Sequence, residues 1–324
     1  MKIFDCTLRD GGNVVGNGFS QDITLSVIKG LINCGITDIE YGNAKGMGLN
    51  DAFLTDNEYM KIVKPYVDKA HLGMFLGAKN AKEDIIKAAA DSGLSFLRVG
   101  NNASDGAKSI EAVKMVKAAG LTCRYSLMKA YVSTPEALAE EAKMLENAGV
   151  DIITIMDSAG YMFPEDATNY TKALKKAVSI PVGFHGHSNL GMSQANAVAA
   201  VEAGADEVDG GLLGMARSAG NCSTELAVAT MHRLGLLNEV DLYRLLDYLD
   251  NELIPLMKPY NYNVAVTPLE LILGFSGCHS SYLKTFKKIA EQKKVSLYKL
   301  IVEVSKVDRK APTEELMVEI ASKL

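Results

Sequence analysis

Two histidines separated by one residue, His185 and His187, close an apolar run at 181–187. If that run is a β-strand, residues two apart project to the same face, so both imidazoles point the same way. Two imidazoles and one carboxylate form a divalent-metal site with open positions. Asp10, which follows the first apolar run, is the natural carboxylate. A bare His-X-His pair also fits two hydrogen-bonded histidines at a strand end, so the metal prediction depends on Asp10.

Other polar side chains follow further apolar runs. Arg9 could bind a carboxylate or stabilise a developing enolate, because a guanidinium is planar and permanently charged. It could equally form an ion pair with a strand-end carboxylate such as Glu40. Asp157 could be a second metal ligand or a helix cap, and Ser158 could hydrogen-bond a substrate carboxylate.

Eight short apolar runs alternate with amphipathic segments that have helical spacing, and the runs start about 30 residues apart, the length of one βα unit. They cover residues 2–8, 37–43, 71–77, 95–101, 121–127, 151–157, 181–187 and 205–211. Alternating strands and helices imply right-handed crossovers and a parallel sheet. Eight units predict an α/β fold, a (β/α)8 TIM barrel, whose active site lies at the carboxyl ends of the strands. A doubly wound open sheet is the alternative.

The alternation stops near residue 235, so we expect a barrel domain at 1–235 and a C-terminal helical extension at 236–324. Segments 241–257, 280–307 and 313–324 have helical patterns. Within the barrel, residues 135–149 show both end signals of a helix, because Pro135 opens the segment and Gly149 closes it.

The composition narrows the function classes. Thirty-four Lys and Arg against 39 Asp and Glu give a net charge of -5, which provides no electrostatic reason to expect a nucleic-acid partner. No apolar run approaches the roughly 18 residues of a membrane helix, and because charged residues occur early in the sequence we expect no secretory signal there. Five cysteines without a Cys-X-X-Cys pair argue against a disulfide framework, so we expect a reducing, cytoplasmic location.

Three motifs then indicate a family. TLRDGG (7–12), HGHSNLGM (185–192) and GMARSAGN (214–221) together resemble the metal-dependent lyase and aldolase superfamily, which contains hydroxymethylglutaryl-CoA lyases and isopropylmalate synthases. The stretch 277–304 is similar to the helical communication domain of the 4-hydroxy-2-oxovalerate aldolases. The chain therefore resembles a divergent member of that aldolase family.

The resemblance implies a role for several residues. It predicts Asp10, His185, His187 and Asn221 as ligands of a divalent ion, with manganese expected and magnesium, cobalt or zinc as alternatives. It predicts Arg9, Ser158 and His185 as substrate contacts. It implies cleavage of a 4-hydroxy-2-oxo acid to pyruvate and an aldehyde, through an enolate that the metal and Arg9 stabilise.

Two positions depart from the family pattern. The general-base histidine of the family is Asn13 here, and an amide cannot exchange a proton near neutral pH. The tyrosine before the Ser-Ser pair of the C-terminal region is His279. The base could therefore be His279, a metal-bound hydroxide or a substrate group. The segment 13–22 also lacks the family's basic and histidine character, so we expect a different acceptor pocket.

Two other functions stay open from the sequence: a Claisen-type acyl-CoA synthase or lyase, and a non-catalytic, aldolase-like partner protein. The resemblance also permits an acylating aldehyde dehydrogenase as a partner that receives the aldehyde. The sequence is also compatible with a homodimer and does not fix the oligomeric state.

Overall fold

A closed barrel of eight parallel strands forms the centre of the molecule, in a computed structural model that describes residues 1–49, 53–263, 267–276, 278, 282–308 and 311–324. The strands follow sequence order, and β1 pairs with β8 to close the barrel. They are β1 (Lys2–Cys6), β2 (Asp38–Tyr41), β3 (His71–Gly77), β4 (Phe96–Asn102), β5 (Thr122–Met128), β6 (Ile152–Asp157), β7 (Val182–Gly186) and β8 (Glu207–Gly210). The predicted TIM barrel is confirmed, and the pairing of β1 with β8 excludes the open sheet.

Helices follow the strands; the short first helix lies at the mouth of the barrel and the others surround it. They are α1 (Thr7–Asp10), α2 (Gln21–Asn33), α3 (Asp56–Val63), α4 (Glu83–Asp91), α5 (Ile110–Ala118), α6 (Pro135–Ala148), α7 (Pro164–Ala177), α8 (Ser193–Glu202) and α9 (Thr224–Arg233). The predicted helix at 135–149 is confirmed: Thr134 Oγ1 accepts from the backbone N–H of Ala137, and Gly149 ends α6 with a φ of 113°.

The first strand is shorter than predicted, because it ends at Cys6 and the chain turns at once into the single-turn α1. Asp5 Oδ1 accepts from the backbone N–H of Thr7 at 3.0 Å, and Thr7 Oγ1 accepts from the backbone N–H of Leu212 at 2.7 Å. These two bonds hold the turn against the end of β8. Arg9 and Asp10 therefore lie on a buried turn at the mouth of the barrel rather than on the strand itself.

Charged side chains fill part of the barrel interior. The guanidinium of Arg124 lies 4.3 Å from the ring centroid of Phe4 and 4.9 Å from that of Phe96. The same guanidinium forms ion pairs with Glu207 at 2.6 Å and Asp38 at 3.0 Å. Paired charges and aromatic faces thus replace an all-aliphatic filling in this part of the barrel.

The C-terminal region is helical in its described parts. It comprises α10 (Leu242–Tyr248), a π-helical segment (Leu249–Leu253), α11 (Ile254–Met257), α12 (Pro268–Ser276), α13 (Leu283–Lys293), α14 (Leu297–Val307) and α15 (Glu314–Ala321). The sequence patterns at 241–257, 280–307 and 313–324 found these helices apart from α12. None of the helices in the described ranges combines the length and apolar character that crossing a membrane requires.

Close packing fixes α10 on the barrel. A Cβ atom at Gly30 of α2 would lie 2.6 Å from the ring of Tyr248, so only glycine leaves room for this ring. The Tyr248 hydroxyl also lies 3.2 Å from Ser26 Oγ. The division of the chain at residue 235 stays a prediction.

A buried glutamate organises the loop after β8. Glu225 Oε2 accepts from the backbone N–H of Leu213 at 3.0 Å, and the carbonyl of Leu213 accepts from the hydroxyl of Tyr262 at 2.9 Å. Leu213 has a φ of 59°, which a leucine rarely adopts and which these bonds help to hold. Burial raises the pKa of Glu225 to about 7.

The raised pKa predicts a pH-dependent stability that Glu225→Gln removes. Above about pH 4.5 the unfolded chain releases the Glu225 proton while the folded protein keeps it until about pH 7. Wild-type stability therefore loses this contribution as pH rises through the window. Urea unfolding at pH 5 and at pH 8 gives the free energy of unfolding of both proteins. The difference between Glu225→Gln and wild type should shift by about 2 kcal/mol in favour of the variant between pH 5 and pH 8.

The exposed Glu202→Gln is the matched control and should parallel wild type. Parallel curves for Glu225→Gln as well would contradict the prediction.

Candidate metal and active site

Three of the predicted ligands meet at the mouth of the barrel. Asp10 Oδ2 lies 3.7 Å from His185 Nε2 and 3.6 Å from His187 Nε2. Potential ligand atoms of the three residues all lie within 4.8 Å of one another, and all three side chains are buried. The structure thus brings together a carboxylate from the end of β1 and two imidazoles from the end of β7.

His187 lies just beyond the strand to which the sequence assigned it, because β7 ends at Gly186. Its backbone N–H donates to the carbonyl of Asp157 at 3.2 Å, and it pairs with Asn221 in an isolated antiparallel bridge. The Asn221 side-chain amide donates to Asp10 Oδ2 at 3.1 Å. The loop after β8 therefore fixes both His187 and the predicted fourth ligand.

A carboxylate behind the site orients His185. His185 Nδ1 lies 2.9 Å from Asp209 Oδ2, and the same oxygen lies 2.7 Å from Nη2 of the buried Arg98. A carboxylate on Nδ1 selects the tautomer whose Nε2 lone pair is free for a metal. Burial opposes the charge of Asp209, but Arg98 and His185 outweigh it and lower the pKa of that carboxyl.

Sequence reasoning missed the role of Asp209. The sequence offered one indication of it: Asp209 lies two positions after Glu207, so two acidic residues share one face of a short buried strand.

Arg9 is held in the site by acids and an aromatic ring. Its Nε lies 2.6 Å from Glu40 Oε2, which confirms the ion pair considered from the sequence, and its Nη1 lies 3.2 Å from Asp10 Oδ1. The guanidinium lies 5.2 Å from the centroid of Phe75, whose ring occupies the space that a Cβ at Gly100 would need. Burial opposes the charge, but Glu40 and Asp10 raise the pKa of Arg9 above its usual range.

The free atoms of the cluster fit a divalent cation. His185 Nε2 and Asn221 Oδ1 are buried without a hydrogen-bond partner among the described residues. Burial and the neighbouring His185 lower the pKa of His187 to about 4, so this ring is neutral and able to ligate near neutral pH. Although burial opposes the charge of Asp10, Arg9 and the two histidines keep its pKa below its usual range. The donor set of one carboxylate and two imidazoles makes this a candidate divalent-metal site.

A second grouping of Cys6, His185 and Asp209 shares one histidine with the first. Asp209 is already committed to Arg98 and to His185 Nδ1, and burial raises the pKa of Cys6 well above its usual value. A protonated thiol and a carboxylate already paired with a guanidinium are poor metal ligands. Asp209 therefore positions His185 for the first grouping and does not form a second metal site.

The two residues that end β6 have different surroundings. Both carboxylate oxygens of Asp157 accept backbone N–H groups, from Tyr161 at 2.9 Å and Met162 at 3.0 Å. These bonds hold the loop between β6 and α7 and do not cap a helix, because α7 begins at Pro164 with Phe163 as its N-cap. The helix-cap alternative for Asp157 is therefore wrong. Ser158 Oγ accepts from the backbone N–H of Lys129 at 2.9 Å and faces the cavity above the metal site.

Asn13 tethers the metal-binding turn. Its side-chain amide donates to the backbone carbonyl of Asp10 at 2.8 Å and lies 3.3 Å from Asp10 Oδ1. Asn13 therefore restrains the aspartate and supplies no proton. His279, the other position that departs from the family pattern, lies outside the described residues.

A cavity of about 650 Å³ opens onto these groups. It is lined by the three candidate metal ligands, by Arg9 and Ser158, and by lysines that follow β2, β3 and β5. Sequence reasoning assigned no role to these lysines, Lys45, Lys79 and Lys129, because each becomes part of the site only through barrel closure.

Comparisons with known proteins agree with this architecture. The sequence model of the HMGL-like family matches residues 1–251. A protein of Carboxydothermus hydrogenoformans named 4-hydroxy-2-oxovalerate aldolase is 33% identical, over all of this chain and 97% of its own length. One of the same name from Chloroflexus aggregans is 32% identical, over 99% of this chain and 94% of its own length.

The solved structure of an HMG-CoA lyase from Brucella melitensis shares the fold, with a TM-score of 0.64 at 20% identity over 76% of this chain and 96% of that one. Because the family match spans the whole barrel and full-length relatives exceed 30% identity, the chain belongs to the HMGL-like family.

Proposed function

We propose that this protein is a divalent-metal-dependent aldolase, a carbon–carbon lyase that cleaves a 4-hydroxy-2-oxo acid to pyruvate and an aldehyde. The observation that carries the proposal is the presence in one cavity of the donors Asp10, His185 and His187 beside the buried guanidinium of Arg9. The full-length relatives named 4-hydroxy-2-oxovalerate aldolase support this reaction.

Asp10, His185 and His187 would hold the metal, with Asn221 as a further ligand through Oδ1. When bound, the ion supplies a Lewis acid that polarises oxygens of the substrate. Manganese is the metal that we propose, and magnesium, cobalt or zinc are the alternatives. The neutral state of His187 and the ionised state of Asp10 are those that ligation requires.

Arg9 would bind the 2-oxo acid and stabilise the negative charge that develops on the enolate oxygen. Its Nη2 is buried and makes no hydrogen bond to a described residue, whereas Nε is fixed by Glu40. A donor that is held in place before the reaction requires no reorganisation when the charge develops. Ser158 and His185 would contribute further substrate contacts.

The reaction needs a group that takes the proton of the 4-hydroxyl. As that proton leaves, the C3–C4 bond breaks, its electron pair forms the enolate of pyruvate, and the 4-carbon departs as an aldehyde carbonyl. Protonation at C3 completes the pyruvate. The side chain of Asn13 is hydrogen-bonded to Asp10, and an amide cannot act as the base. We propose His279 for this role, with a metal-bound hydroxide or a substrate group as the alternatives.

The Claisen-type alternative is not favoured. The relatives at 32–33% identity carry the aldolase name over the whole chain, whereas similarity to the HMG-CoA lyase structure, at 20%, is evidence for the fold alone. An acylating aldehyde dehydrogenase partner, a homodimer and a cytoplasmic location stay predictions.

Removing a ligand should abolish tight metal binding. We expect His187→Ala to weaken Mn(II) binding by more than about tenfold, because even outer-shell partners of metal ligands typically contribute that much. Electron paramagnetic resonance of free Mn(II) measures the affinity. His71→Ala is the matched control, since that ring lies at the start of β3, and its affinity should equal wild type. Equal affinity in His187→Ala and wild type would place the metal elsewhere.

The enolate half of the reaction can be tested without an aldehyde. In deuterated buffer with Mn(II), the protein should exchange the methyl hydrogens of pyruvate for deuterium, and EDTA should abolish this exchange. Mass spectrometry of pyruvate measures the deuterium uptake. Arg9→Lys keeps a charge for Glu40 but loses the planar fork, so exchange should fall about 100-fold.

Arg244→Lys, on the exposed face of α10, serves as the control and should exchange like wild type. A metal-loaded wild type that exchanges no hydrogen would overturn the assignment of pyruvate as a product.

The role of His279 predicts a selective loss. His279→Gln should lower the ratio of the cleavage rate to the exchange rate about 100-fold, because exchange of pyruvate involves no 4-hydroxyl proton. Cleavage of racemic 4-hydroxy-2-oxovalerate, coupled to lactate dehydrogenase, gives one rate and deuterium uptake the other. His71→Gln should leave the ratio at the wild-type value, and an unchanged ratio in His279→Gln would exclude this histidine as the base.

A further inference from the structure

The cavity carries more positive charge than the enolate chemistry uses. Besides Arg9, it is lined by Lys45, Lys79, Lys129 and Arg217, whereas Asp10 is the one acidic residue that lines it within the described part of the chain. The whole chain has a net charge of -5, so this cavity is opposite in sign to the molecule. Charge of one sign in a concave site concentrates the field and attracts ligands of the other sign.

Two of these lysines lie across the barrel from the metal donors. Lys79 follows the end of β3 by two residues, and Lys129 directly follows β5. Both strands pair with β4, through Gly77 with Gly100 and through Asn102 with Met128. With about 4.8 Å between neighbouring strands, the two lysines start roughly 10 Å apart, on either side of β4. The metal donors come from β1 and β7, on the opposite arc.

The backbone at Lys129 is held in an unusual conformation. Lys129 has φ 55° and ψ 44°, the left-handed region that non-glycine residues seldom adopt. Its N–H donates to Ser158 Oγ at 2.9 Å, and its carbonyl accepts from Val132 at 3.0 Å. Such strain persists where the surroundings enforce it and is concentrated at functional sites. Lys129 is thus fixed to a serine that faces the same cavity.

We propose that the acceptor half of this cavity recognises a second anionic group, so that the aldehyde product carries a carboxylate or a phosphate ester at its far end. The inference rests on the proposed aldolase function and adds its substrate class: a 4-hydroxy-2-oxo acid with an anion at each end. The 2-oxo carboxylate would lie at Arg9, beside the candidate metal ligands, and Lys79 and Lys129 would hold the distal anion. A cavity of about 650 Å³ has room for such an extended substrate.

Binding tests the inference without turnover. The paired probes are 2-oxoadipate and 2-oxohexanoate, which share length and 2-oxo acid head and differ only in a terminal carboxylate. Isothermal titration calorimetry on the Mn(II)-loaded protein should give about tenfold tighter binding of the dianion, the equivalent of one charge-assisted contact. In the double variant Lys79→Gln/Lys129→Gln the two affinities should become equal.

A matched double variant separates local from overall charge. Lys114→Gln/Lys172→Gln removes two exposed lysines from the outer helices α5 and α7 and should keep the preference for the dianion. If the two double variants prefer 2-oxoadipate over 2-oxohexanoate to the same degree, the overall charge of the protein and not this subsite attracts the dianion. That result would overturn the proposal.

Aldol addition of pyruvate distinguishes the two anion classes. The acceptor pairs are glyceraldehyde 3-phosphate against glyceraldehyde, and succinic semialdehyde against butanal. Wild type should favour the anionic member of at least one pair by about tenfold in kcat/KM, and the lysine double variant should lose that selectivity. The favoured pair identifies phosphate or carboxylate.

Failure of this inference differs from failure of the proposed function. Pyruvate exchange with equal affinity for 2-oxoadipate and 2-oxohexanoate would reject the anionic subsite and leave the aldolase intact. Absence of exchange, with neither 2-oxo acid bound by the metal-loaded protein, would reject both.

Discussion

The organisation of the site depends on the pairing of charges that the barrel takes out of water. Arg9 and Arg98 lie among Glu40, Asp209 and Asp10, and all five side chains are buried. An unpaired charge in such a place costs several kcal/mol, so each carboxylate must face a cation. Two buried guanidiniums against three buried carboxylates leave one negative charge beside the two histidines, and the half-exposed Arg217 lies 3.8 Å from Asp10 Oδ1. A divalent cation at the proposed site would offset that negative charge, so the electrostatics of the buried cluster support the proposed metal.

The same pairing also sets the geometry. Glu40, Arg98 and Asp209 come from β2, β4 and β8, so the network closes only when the barrel closes. Arg98 Nη1 lies 3.9 Å from Glu40 and Nη2 lies 2.7 Å from Asp209, which couples the carboxylate that aims Arg9 to the one that aims His185. A guanidinium is well suited to this role because its donors are fixed in a plane. Two groups at the mouth of the barrel, Arg9 and His185, are thereby positioned through one buried residue.

The sequence predicted those features that follow from local rules. The His-X-His spacing, the aspartate after the first strand and the eightfold alternation were sufficient to place three donors at one end of a barrel. The role of Asp209 was not predictable, because its hydrogen bond to His185 forms only across two strands. The early end of β1 was missed for a similar reason, since the turn at Thr7 is held by Leu212, 205 residues away. At position 13 the sequence alone showed what the residue cannot do, because an asparagine cannot transfer a proton. What Asn13 does, which is to restrain Asp10, is visible only in the structure.

The two halves of the cavity differ in the kind of recognition they can provide. Arg9 is buried, paired and oriented, so it would select for the position of a substrate oxygen atom. The lysines across the cavity are exposed, with long stems and rotatable ammonium groups, so they would select for charge and tolerate variation in shape. With the proposed dication at Asp10, both ends of the cavity would be positive, and a substrate with one neutral end would leave the lysines without a partner. Precise chemistry at the metal and permissive charge recognition at the acceptor are therefore compatible in one barrel, because each depends on a different set of strand ends.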